Sequence, residues 1–238
     1  MKPTLVLLPG MDGTGELFRP LIAALGDSVD VIPVRYPAAE LLGYAALIAR
    51  VRSLLPKHKP FLLLGESFSG PIAVSLAADS PPQLKGLILC ASFVRNPRPM
   101  LAGVRQLVAH MPMPPIPKQV VAPLLLGGFS TPELRLALNS AIAQLPPATL
   151  RERLSAVLSV DATEQLTQVK VPCLYLRAMH DRLVTKAAAE LILRIKPDTV
   201  RMDIPGPHCL LQAMPHLAAA EISRFIAFAL APANHQLG

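Results

Sequence analysis

Six short apolar segments punctuate the chain, at Thr4–Leu8 and at residues 29–34, 61–64, 84–93, 172–177 and 199–204. The clearest is 61–64, Phe-Leu-Leu-Leu, where four consecutive apolar residues show neither strict alternation nor helical spacing and so predict a strand buried on both faces. Segments 16–25, 38–55, 185–195 and Pro215–Leu230 read as helices, and a further helix follows the 61–64 strand. Strand and helix alternate over the first 93 residues, which predicts a parallel sheet with helices on both faces and a ligand site beyond the carboxyl ends of the strands. Met11, Ser67 and Phe93 all fall at such ends.

The rhythm breaks after residue 95. Pro97, Pro99 and the run Met-Pro-Met-Pro-Pro-Ile-Pro at 111–117 interrupt helical pieces such as 101–110 and 132–145, with no strand evident until 172. Residues 95–166 therefore read as a helical cap inserted after the fourth strand of one domain spanning 1–238. Composition fits this. A hydrophobic share of 52 % against 16 % charged residues excludes disorder and requires an unusually apolar surface, which the cap can cover or line.

No apolar run approaches the ~20 residues that span a bilayer, and residues 1–10 are too short for a signal peptide, so a cytoplasmic location is expected. Three cysteines, Cys90, Cys173 and Cys209, suggest packed thiols, with neither a disulfide nor a metal site expected. A net charge of +7 favours acidic partners, but no aromatic-rich basic motif accompanies it, and nucleic-acid binding is not expected.

The chemistry centres on Gly65-Glu66-Ser67-Phe68-Ser69-Gly70, directly after the third strand. Glycines flanking a serine at a strand-to-helix turn relieve crowding and present the hydroxyl, the pattern of a nucleophile elbow, here with Ser69 at the last position of G-x-S-x-G. A serine needs a base, and the base an acid to orient it. Asp181 leaves the fifth strand and His208 the sixth, in the order Ser, Asp, His. His180 points the other way by strand alternation, and His58, His110, His216 and His235 lack strand-end contexts.

On these residues the chain resembles the α/β-hydrolase superfamily, with its mostly parallel sheet of about six strands and helical cap, and the string Leu-Leu-Pro-Gly-Met-Asp-Gly-Thr-Gly-Glu-Leu-Phe is similar to a branch containing ester-forming acyltransferases. The resemblance implies a carboxylesterase-type serine hydrolase without cofactor: Ser67 as nucleophile, His208 as base, Asp181 as its partner, and the Met11 and Phe68 N–H groups as oxyanion hole. It leaves two alternatives, acyl transfer by the same triad and a ligand-binding relative without turnover. Asp12 either contacts substrate or shapes the loop as an Asx turn. Met100, Met111 and Met113 either line an acyl pocket or pack the cap. Arg95, Arg98 and Arg105 are either a solvated face or, as resemblance to esterases acting on acyl-carrier-protein methyl esters implies, a docking face for an acidic carrier. The substrate expected is a small-molecule or carrier-bound acyl ester.

Overall fold

The computed structural model describes residues 2–104 and 118–231. Six parallel strands, β1 (Thr4–Leu8), β2 (Asp30–Pro33), β3 (Phe61–Glu66), β4 (Leu84–Cys90), β5 (Cys173–Ala178) and β6 (Val200–Ile204), form one sheet in the order β2-β1-β3-β4-β5-β6. β1 pairs with both β2 and β3, so the order reverses between β1 and β3 and the loops leaving these two strands diverge there. That crevice is where a doubly wound sheet can hold a ligand.

Side-chain alternation splits the core into two layers. Val6, Leu8, Leu63, Leu87 and Tyr175 face α2 (Tyr44–Leu54) and α3 (Gly70–Ala78), while Leu5, Leu7, Leu62, Leu64 and Ile88 face α1 (Arg19–Leu25) on the opposite side. Leu5, Leu7, Leu62, Leu63 and Leu64 have no measurable exposure, and each such side chain contributes ~1.5–3 kcal/mol.

Between β4 and β5 the described residues form α4 (Lys118–Leu125), α5 (Pro132–Ala143), α6 (Pro147–Ser159) and α7 (Thr163–Gln168). After β5 come α8 (Lys186–Ile195), then β6, a short α9 (Leu210–Ala213) and the closing α10 (Pro215–Leu230). Of the helix expected over 101–110, residues up to Val104 lie in a 3-10 segment, Pro99–Val104, and the remainder lies outside the described residues.

The expected helix over 38–55 begins only at Tyr44. Tertiary bonds hold the preceding loop: Thr149 donates to the Ala38 carbonyl at 2.6 Å and Arg153 to the Pro37 carbonyl at 3.2 Å, contacts that local propensity cannot encode. β4 ends at Cys90 rather than 93, because Ala91 has a positive φ of 44° that breaks the extended run. No helix among the described residues is long and apolar enough to cross a membrane.

Candidate active site

β3 runs fully buried to Glu66 and turns abruptly at Ser67, whose φ of 49° is one of three positive values at non-glycine residues among the described residues. Such a conformation is costly and persists where its surroundings over-determine it. The surroundings do so here. A Cβ on Gly65 would come 2.7 Å from the Ser69 carbonyl oxygen, and one on Gly70 would overlap Ser92 Oγ, so the turn closes only with glycine at both positions. Ser92 donates to the Ser67 carbonyl at 2.5 Å, and its own carbonyl accepts from the buried Tyr175 hydroxyl at 2.8 Å.

Ser69 does more than fit where glycine is usual. Fully buried, its hydroxyl donates to the Pro9 carbonyl and accepts from Tyr36 Oη at 2.6 Å, tying the elbow to the loop after β1. Burial raises the Tyr36 pKa well above its ordinary value, keeping it a donor.

The loops leaving β5 and β6 bring Asp181 and His208 to this turn. Ser67 Oγ lies 2.8 Å from His208 Nε2, and His208 Nδ1 lies 2.8 Å from Asp181 Oδ2. A carboxylate only accepts, so Nδ1 is the donor and Nε2 of a neutral imidazole is left as the acceptor facing the serine. Asp181 also serves as a turn cap: its Oδ1 accepts from the N–H groups of Leu183 at 2.7 Å and Val184 at 2.9 Å. These bonds fix the carboxylate plane, and the His208 and Asp181 side chains are 7 % and 4 % exposed. His180 is exposed, 5.5 Å from the Phe129 ring.

Met11 borders the same space as Ser67 and His208. In its loop, Asp12 Oδ2 accepts from the Thr14 N–H at 2.9 Å and from the Thr14 hydroxyl at 2.6 Å, the Asx-type turn, while Asp12 also lines the cavity. Gly13 and Gly15 hold φ near 70°. Phe68 is clamped by Tyr44, which stacks on its ring at 4.8 Å and donates to its carbonyl at 3.0 Å.

A cavity of about 250 Å³ opens beside Ser67. Leu124, Leu125, Leu138, Ile142, Leu150 and Leu154 from α4, α5 and α6 supply an apolar wall, and Glu66 and Gln212 are polar exceptions. Gln212 Nε2 donates to Glu66 Oε1 at 3.0 Å, and burial pushes the Glu66 carboxyl up to about 7. Cys90, Cys173 and Cys209 are buried free thiols, and burial raises the pKa of each.

Met100 is 98 % exposed and lines no part of this cavity; Met111, Met113 and Arg105 lie outside the described residues. Arg95 and Arg98 are exposed. Arg95 forms a backbone bridge with Asp161, and Arg98 donates to the Arg182 carbonyl. Sequence reasoning missed Tyr36, Tyr44, Glu66 and Arg153. Only Arg153 left a signal, a charge between Leu150, Leu154 and Val157 on the apolar stripe of a helical segment.

Comparison with known proteins agrees with this architecture. The pimeloyl-[acyl-carrier protein] methyl ester esterase of Aeromonas hydrophila subsp. hydrophila is 28 % identical over 80 % of this chain and 82 % of its own length. Phytyl ester synthase 1, chloroplastic, of Arabidopsis thaliana is 29 % identical over 72 % of this chain, which spans only 24 % of that protein. A thermophilic esterase from Thermogutta terrifontis superposes with a TM-score of 0.81 at 20 % identity, covering 97 % of this chain and 91 % of that one, a likeness of fold. Residues 43–204, from the start of the helix before the elbow strand to the end of β6, match the family model described as serine aminopeptidase, S33. The chain belongs to that family and to the α/β-hydrolase superfamily.

Proposed function

We propose that this protein is a serine hydrolase of carboxylesterase type, cleaving an ester or thioester through an acyl-enzyme. The observation that carries the reading is the continuous file Ser67 Oγ, His208, Asp181, with both gaps at 2.8 Å, at the edge of a cavity with an apolar wall. Ser67 Oγ attacks the acyl carbonyl as Nε2 takes its proton, and Asp181 stabilises the imidazolium that results. The Met11 and Phe68 N–H groups receive the developing oxyanion, a contribution of ~3 kcal/mol per donor. Collapse expels the alcohol or thiol, protonated from Nε2. Water, activated by the same imidazole, then releases the acid.

The helices between β4 and β5 act in this reading as a cap over the acyl group, within one domain. Their leucines favour an apolar acyl chain. The Aeromonas relative's name supports a carrier-bound ester, with Arg95 and Arg98 toward an acidic carrier protein. The name of the Arabidopsis relative favours a second reading, in which an alcohol replaces water as acceptor.

Labelling with a fluorophosphonate probe tests the core of the proposal: Ser67 should carry the adduct, and Ser67→Ala should lose both adduct and turnover of p-nitrophenyl esters. An active Ser67→Ala protein labelled on another serine would remove it. An acyl burst separates an enzyme from a ligand-binding relative, and alcohol acceptors added to the same assay separate transfer from hydrolysis.

A further inference from the structure

Helix α6 carries a charge on the face that meets the body of the protein. Arg153 is 1 % exposed. Its Nη1 donates to the Met11 carbonyl at 2.7 Å, its Nη2 donates to the Pro37 carbonyl at 3.2 Å, and the guanidinium lies 5.7 Å from the Tyr36 ring centroid. A Cβ on Gly13 would come within 2.5 Å of Nη1, so the loop after β1 is shaped around the guanidinium. One turn earlier, Thr149 fastens the same helix to the Ala38 carbonyl.

A buried charge is a poor choice for packing alone. Its desolvation is costly, and here Nε has no hydrogen-bond partner among the described residues. What arginine supplies is a planar fork able to fix two carbonyls of two different loops at once. One of those carbonyls belongs to Met11. From the other side the elbow holds the same loop, through Ser69 on the Pro9 carbonyl, and Tyr36 touches both systems because its hydroxyl meets Ser69 and its ring meets Arg153. Helix α6 also lends Leu150 and Leu154 to the cavity wall.

We propose that Arg153 is a positioning residue that makes the alignment of the Met11 N–H depend on how α6 is seated over the substrate cavity. Arg153 touches no reacting atom in this scheme; it acts through the loop. The proposal rests on Met11 being an oxyanion donor, as read above.

Its test uses Arg153→Lys, which keeps charge but loses the fork, and Arg153→Ala with guanidinium ion added back at concentrations far below those that unfold the protein. Rates are normalised to active sites titrated with a phosphonate, so a misfolded fraction drops out. The expected result is a fall in kcat of about 10²-fold per titrated site, the scale of a reacting group displaced by ~1 Å, with KM changed less than threefold. A trifluoromethyl ketone, whose adduct needs the oxyanion donors, should weaken by the same factor, and guanidinium should restore kcat saturably in the alanine variant alone. Wild-type kcat per titrated site in both variants would overturn the inference, as would a loss confined to KM. A wild-type protein inactive on every ester would instead sink the esterase reading, and this inference with it.

Discussion

Glu66 is the buried acid that the proposed chemistry does not use, and its environment makes a quantitative prediction about stability. It is 6 % exposed, and its pKa is pushed from 4.5 to about 7, chiefly by burial, with Asp12 adding to the rise and Gln212 and His208 opposing it. Below pH 4.5 the carboxyl is protonated in folded and unfolded chains alike, and the full stability is present. Between 4.5 and 7 the unfolded chain releases its proton while the native state keeps it, so stability falls as pH rises and levels off above 7. A pKa difference of about 2.5 at ~1.4 kcal/mol per pH unit amounts to about 3 kcal/mol. Glu66→Gln keeps the shape and the acceptor for Gln212 Nε2 but never ionises. Part of the wild-type loss has already occurred at pH 5, so urea unfolding of both proteins at pH 5 and pH 8 should show the wild type losing roughly 2–3 kcal/mol more than the variant over that interval, other titrating groups cancelling in the comparison. Equal losses in the two proteins would mean that Glu66 is already ionised in the native state, and would refute the account.

Asp181→Asn should fold with near-normal stability, because an amide oxygen can still accept from Leu183 and Val184, yet kcat/KM should fall ~10⁴-fold through loss of the correct imidazole tautomer; circular dichroism and ester kinetics together check this. Gly70→Ala should destabilise the fold by about 3 kcal/mol in denaturant titration, since the added methyl overlaps Ser92 Oγ in a closely packed turn. If Arg95 and Arg98 meet an acidic carrier, kcat/KM for a carrier-bound ester should fall steeply between low salt and physiological ionic strength, where screening acts over ~8 Å, while a small free ester responds little. Reversing both charges should weaken only the carrier-bound reaction; equal salt responses would leave these arginines as ordinary surface.

The sheet and the order Ser, Asp, His were legible because each depends on local information. Four apolar residues before Gly65 admit a strand buried on both faces, and a glycine-bracketed serine admits a tight turn. Asp181 and His208 stood out because strand ends in a parallel sheet converge on one edge whatever lies between them. The sequence also suggested the Asx turn at Asp12, a bond reaching only two residues along the chain. Ser69 read merely as the last position of the G-x-S-x-G pattern; its bonds to Pro9 and Tyr36 span 60 and 33 positions and depended on the strand order that packs β1 beside β3. The delayed start of α2, the neutral preference of Glu66 and the placement of Met100 in solvent were likewise decided by packing. Arg153 marks the boundary most sharply. The apolar spacing of Leu150, Leu154 and Val157 around it shows in the chain, but the carbonyl it holds lies 142 positions away, and a hydrogen bond closed only by the folded topology leaves no periodic trace.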